Sequence, residues 1–155
     1  MTVAEKLVEL LKSRGLSCAT AESCTGGGIG SAITAVAGSS EVYHGGVISY
    51  SNEVKRDVLG VPQAMLESVG AVSPETAAAM AAGARKLLKA DIAVSVTGIA
   101  GPGGGSDEKP VGLVWFGLAT AGGVRTEKAL YQGDRETIRA KTVLHALGML
   151  TVAAT

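Results

Sequence analysis

The stretch Asp91-Ile92-Ala93-Val94-Ser95-Val96-Thr97, followed at once by Gly98-Ile99-Ala100-Gly101-Pro102-Gly103-Gly104-Gly105, decides how the chain is read. A short run of β-branched and small apolar residues that ends in a glycine run predicts a buried strand. Ligands bind outside the carboxyl ends of strands in open α/β sheets, where such a turn lies. Two other segments share this design. Leu16 to Ala21 reads as the first strand and runs into Glu22-Ser23-Cys24-Thr25-Gly26-Gly27-Gly28. Val42 to Tyr50 reads as the second, with a bulge expected at Gly45-Gly46, and runs into Ser51-Asn52-Glu53-Val54-Lys55. If these strands are parallel neighbours, the three turns converge on one cleft.

Helices account for much of the remainder. Val3, Leu7, Leu10 and Leu11 recur at helical spacing, with Gly15 as a stop. Gly26 to Val36 reads as a small-residue helix packed close to the sheet, and Asn52 to Leu59 as a short one. Ser73-Pro74-Glu75 is a strong helix start, with Ala77, Ala81, Ala84 and Leu88 on the buried face. Val111 to Ala121 and Val124 to Tyr131 predict a hairpin through Gly122-Gly123. Asp134 then caps a final, unusually apolar helix reaching about Val152. This order favours one α/β domain over residues 1–155, a layered sandwich with a mixed sheet.

Composition narrows the function classes. A chain of 155 residues buries roughly two-thirds of its unfolded surface, so neither disulfide nor metal is needed to fold it. With 46% hydrophobic but only 3% aromatic residues, the core must be Ala, Val, Leu and Ile. The 14 basic and 14 acidic residues balance, which leaves no electrostatic footprint for nucleic acid. No stretch approaches the ~20 apolar residues of a membrane span, and the charged start is not a signal peptide. Cys18 and Cys24, if mostly in a strand, lie about 20 Å apart, too far for a disulfide. Free thiols without an export signal imply the cytosol. His44, His145 and the two cysteines have no zinc-like spacing, so no metal is expected.

Ser23 stands at a strand-to-helix turn whose following N–H groups could hold an oxyanion. The alternative is that Ser23 or Thr25 only caps the helix. Cys24 is a rival nucleophile, although free cysteines are more often small buried hydrophobes. Neither histidine lies in a suitable context to act as base, which leaves Lys55. An ordinary lysine is neutral only about 0.04% of the time at pH 7; burial or a nearby cation must lower its pKa before it serves. Otherwise Lys55 is one more solvated lysine. The Gly98–Gly105 loop lacks the Gly-Lys-Ser ending of a Walker loop, but its amides can face an anion, unless it is simply a flexible loop. Arg135 lies in the first turn of the last helix, where the helix dipole disfavours a cation. A bound phosphate or carboxylate would reverse that cost, as would pairing with Asp134 or Glu136.

Four motifs in order, Ala21-Glu22-Ser23-Cys24-Thr25-Gly26-Gly27, His44 to Asn52 with Lys55, Val72-Ser73-Pro74-Glu75-Thr76, and Thr97 to Gly104, resemble the CinA C-terminal domain family, from about residue 5 to residue 150. The resemblance implies a three-layer α/β/α sandwich with a mixed, roughly five-stranded sheet, and commonly a homodimer, here of the standalone type. It implies hydrolysis of the carboxamide of nicotinamide mononucleotide (NMN) without a cofactor, with Ser23 as nucleophile, Lys55 as base and Tyr50, Thr97 and Arg135 in the same site. Substrate contacts are expected from Thr25, Gly26, Gly27, Thr97, Gly98, Gly101, Gly103, Gly104 and Arg135. A non-catalytic nucleotide-binding module, an interaction protein linked to DNA uptake or repair, and an amidase for another nucleotide-like amide are the competing readings.

Overall fold

The computed structural model describes residues 1–155. Its elements are α1 (Val3–Arg14), β1 (Cys18–Glu22), α2 (Gly28–Thr34), β2 (Tyr43–Ile48), α3 (Asn52–Asp57), α4 (Gln63–Ser68), α5 (Pro74–Leu88), β3 (Ile92–Gly98), β4 (Leu113–Thr120), β5 (Gly123–Leu130) and α6 (Arg135–Ala154). A five-stranded sheet runs in the order β2-β1-β3-β4-β5. β2, β1 and β3 are parallel, while β4 and β5 are antiparallel additions. The fold is therefore an α/β sandwich on a mixed sheet, as the resemblance implied.

Strand alternation sends unlike side chains to the two faces. Ile92, Val94, Val96, Val114, Phe116 and Leu118 enter the larger core, under α1, α2 and α6. Ala19, Ala21 and Ala93 enter the smaller one, with Met80 and Ala84 of α5. Small residues on that second face let the α5 backbone come close. Ser95 Oγ donates to the Ala77 carbonyl at 2.5 Å, and a methyl on Gly117 would strike that same carbonyl and Ser95 Oγ.

The helix signals act as expected. Thr2 and Glu5 form a capping box on α1, and Gly15 ends it at φ +63°. Ser73 caps α5 and Asp134 caps α6, each accepting from the amide three residues on. The bulge expected at Gly45-Gly46 falls at His44, where the β1–β2 register shifts. The hairpin turns on Ala121-Gly122, because Gly123 already pairs with Thr120. Helix α4 was not anticipated; its six residues are too short for a period to show.

His145 has a structural setting. Its ring stacks on Phe116 with centroids 4.1 Å apart, lies 2.8 Å from the Tyr131 hydroxyl and 3.1 Å from Glu127, and so ties α6 to β5.

Two glycine replacements should act in opposite directions. Gly117→Ala overpacks the α5 contact and should lower stability by about 1–3 kcal/mol or more. Gly148→Ala, in α6 with nothing within 4 Å of the new methyl, should raise it by about 0.5–1 kcal/mol. Urea unfolding midpoints of both variants test this.

Candidate active site

β2, β1 and β3 end side by side because they are parallel neighbours, with β1 in the middle. The turns that follow them do converge. They enclose a cavity of about 220 Å³ whose lining includes Ser23, Cys24, Tyr50, Asn52, Lys55, Thr97, Gly98 and Arg135. A larger groove of about 700 Å³, past Val72, is lined by Trp115, Lys109 and Lys128 and contains neither Ser23 nor Lys55. Only in the smaller cavity do Ser23 and Lys55, the expected nucleophile and base, meet.

Lys55 is no solvated lysine: it is 1% exposed. Ser51 caps α3 by accepting from the Val54 amide, and this short helix turns Lys55 inward. Its Nζ donates to the Ser49 carbonyl at 2.7 Å, the Tyr50 carbonyl at 3.2 Å and Ser23 Oγ at 3.1 Å. The three contacts match the three protons of an ammonium. In the neutral amine two protons suffice for the two carbonyls, and the lone pair is left facing the Ser23 hydroxyl. Burial pushes the Lys55 pKa down to about 8, partly opposed by Cys24. About a tenth of the molecules then hold a neutral amine at pH 7, a gain of more than a hundredfold over an ordinary lysine.

The helix-cap alternative for Ser23 is overturned, since α2 begins from Gly27 with no side-chain cap. The carboxylate of Glu22 takes that place instead. It accepts from the amides of Ile29 and Gly30 at 2.8 and 3.0 Å, and from the Thr25 hydroxyl at 2.6 Å. An anion from the chain itself therefore occupies the positive end of α2. The Gly26 amide donates to the Ser23 carbonyl at 3.1 Å, so it is not a free donor. In this turn only the amides of Cys24, Thr25 and Gly27 lack a protein acceptor.

The remaining expected residues scatter around this centre. The Thr97 hydroxyl, at the end of β3, donates to the Ala71 carbonyl at 2.9 Å. Tyr50 offers Lys55 its carbonyl, while its side chain is exposed. Arg135 makes no ion pair with Asp134 or Glu136; it donates to the Gly101 carbonyl at 2.9 Å and lies 3.5 Å from the Tyr50 hydroxyl. Gly103 and Gly104 stand exposed outside the cavity lining. Burial pushes the Cys24 thiol up to about 11, which leaves little thiolate at neutral pH. No group of three or more His, Cys, Asp or Glu side chains is placed to hold a metal ion, and no helix is long and apolar enough to cross a membrane.

Sequence reading missed Arg139 and gave Glu22 and Ser49 no role. Arg139, one turn after Arg135 on α6, donates to the carbonyls of Cys24 and Thr25, both at 3.0 Å. Its four-residue spacing from Arg135 was the available signal. Ser49 is fully buried, and its amide donates to the Glu22 carbonyl at 2.7 Å.

A family model described as the CinA C-terminal domain matches residues 1–153. The chain is 47% identical over 151 residues to the nicotinamide-nucleotide amidohydrolase PncC of Escherichia coli (strain K12), covering 97% of this chain and 92% of that protein. It is 52% identical over 152 residues to a CinA-like protein of Synechococcus sp. (strain RCC307), covering 96% of this chain but 36% of the relative. The chain thus spans about a third of the length of several curated relatives it matches. The crystal structure of the competence/damage inducible protein CihA from Agrobacterium tumefaciens superimposes with a TM-score of 0.91 at 46% identity, covering 99% of this chain and 96% of that one.

The Lys55 pKa makes a signed prediction. A lysine at about 8 when folded and about 10.4 when unfolded binds fewer protons in the native state between those values. Its burden on stability is full below pH 8 and lifts as pH rises towards 10.4. The stability of wild type relative to Lys55→Met should therefore increase across that window, by up to about 1.4 kcal/mol per pH unit. Parallel denaturation curves at pH 7, 9 and 10 would show it; a flat difference would mean an unshifted lysine.

Proposed function

As the chain belongs to the CinA C-terminal domain family, we propose that it is a nicotinamide-nucleotide amidohydrolase, converting NMN and water to nicotinate mononucleotide and ammonia. The observation that carries this reading is the 3.1 Å contact between a water-excluded Lys55 and Ser23. Burying an unpaired lysine lowers stability, and a serine nucleophile needs a base beside it to activate its hydroxyl.

Ser23 Oγ attacks the carboxamide carbon while Lys55 accepts its proton, giving a tetrahedral oxyanion and a lysine ammonium. The free amides of the turn, those of Cys24, Thr25 and Gly27, are the donors available to the oxyanion. Lys55 then returns the proton to the departing nitrogen, and ammonia leaves behind an acyl-Ser23. Water, deprotonated by Lys55, hydrolyses that ester. Tyr50 positions the base through its carbonyl, and its phenol borders the mouth of the site beside Arg135. The cationic pyridinium of NMN disfavours a second cation nearby, so bound substrate lowers the Lys55 pKa further.

Arg135 is assigned to the 5′-phosphate, together with the amides of Gly101, Gly103 and Gly104. In that role the phosphate offsets the unfavourable interaction of Arg135 with the α6 dipole. The Thr97 hydroxyl and Gly98 form the floor under the ring. The same reading places the enzyme in the cytosol, with both cysteines free. It also includes a homodimer, for which exposed Leu144 and Val152 on α6 supply apolar surface.

Purified protein given NMN without added metal should release ammonia and nicotinate mononucleotide in equal amounts, and Ser23→Ala should release neither. Binding without release from folded wild type would favour the nucleotide-binding module. kcat/KM should rise with pH through an apparent pKa of about 8, and kcat through a lower one. Arg135→Ala should raise KM for NMN much more than KM for nicotinamide riboside, which lacks the phosphate; equal effects would remove the phosphate role.

A further inference from the structure

We propose that Arg139 is a positioning residue of this reaction: its guanidinium fixes the peptide planes after Ser23 so that the Thr25 amide is presented to the oxyanion. The inference rests on the amidohydrolase reading and deepens it.

The turn between Ser23 and Gly27 belongs to neither β1 nor α2, and Gly26 and Gly27 take φ +58° and +104° within it. Such a turn has no ladder or helix to hold its peptide planes. The Gly26 amide closes it onto the Ser23 carbonyl and the Gly28 amide onto the Thr25 carbonyl, and two side chains fix it further. From within the turn's own strand, the Glu22 carboxylate ties the Thr25 hydroxyl to the first turn of α2. From α6, Arg139 Nε donates to the Cys24 carbonyl and Nη2 to the Thr25 carbonyl.

A trans peptide directs its C=O and N–H oppositely. Both carbonyls point to α6, so the Thr25 and Gly26 amides point away from it. Gly26 is already engaged with the Ser23 carbonyl. The Thr25 amide has no acceptor, yet Thr25 is only 1% exposed. Buried amides without partners are rare in native proteins, and this one lies two residues from the nucleophile. A negative oxygen formed on a carbon attached to Ser23 Oγ supplies the missing acceptor. The guanidinium contributes through its planar fork, which spans two adjacent carbonyls; a lysine ammonium cannot span both in that geometry.

The test compares Arg139→Ala and Arg139→Lys with wild type on NMN, with and without guanidinium chloride at low millimolar concentration. Loss of one oxyanion donor lowers kcat by about 10²–10³-fold. Both variants should therefore lose kcat on that scale with KM within about threefold, and guanidinium should restore part of the Arg139→Ala rate. Near-wild-type kcat, a change confined to KM, or a kcat loss that guanidinium leaves untouched in folded Arg139→Ala would overturn the proposal. If Arg139→Ala does not fold, Arg139→Lys decides, and a kcat within threefold of wild type would refute the positioning role. An inactive wild type would instead condemn the amidohydrolase reading, so the two failures are distinct.

Discussion

A lysine without a carboxylate partner, shut away from water between α3 and the end of β1, is the constraint around which this domain is arranged. Burying a cation is costly, and the structure answers the cost only in part. Two carbonyls, from Ser49 and Tyr50, take up its protons, and the remaining penalty survives as a lowered pKa. Those carbonyls also decide where the lone pair goes once the proton is lost. Chemistry and strain thus share one cause: the surroundings that make Lys55 expensive to bury also aim it at Ser23.

The sheet makes that burial possible. Its α5 face carries Ala19, Ala21 and Ala93, and Gly117 lets the α5 backbone close against β4. With both faces covered, the parallel strands β2, β1 and β3 end in register, and their turns meet. Ser49 sits at this junction. Its amide is tied to the Glu22 carbonyl and its own carbonyl to Lys55. The strand that delivers Ser23 is therefore connected through one backbone unit to Lys55.

Glycine-rich turns ahead of a helix invite the expectation of a phosphate or oxyanion at the helix N-terminus. Here the protein fills that position with its own carboxylate, Glu22. The positive end of α2 serves to anchor the turn, and the donors left for chemistry lie earlier, beside Ser23. Arg135 and Arg139 then divide the first turns of α6 between them. One faces the mouth of the site and the glycine loop, the other grips the turn from behind.

Local chemistry was enough to mark the elements other than the six-residue α4, and to single out most of the candidate residues. Gly15, Ser73 with Pro74, and Asp134 mark helix ends because capping depends on a few adjacent atoms, and the short apolar run in Asp91–Thr97, ended by glycines, marks a buried strand because that signal is local. Ser23 and Arg135 stood out through their immediate settings, and Lys55 by elimination of the two histidines. What the sequence by itself left open were the choices that depend on distant partners: helix cap or free hydroxyl for Ser23, and solvated or buried for Lys55. Each was decided by the sheet order, which brings residues 23, 55, 97 and 135 to one cavity although up to 112 positions separate them. Arg139 and Glu22 escaped notice because their partners are mostly backbone atoms, whose direction no residue name records and only the tertiary fold sets.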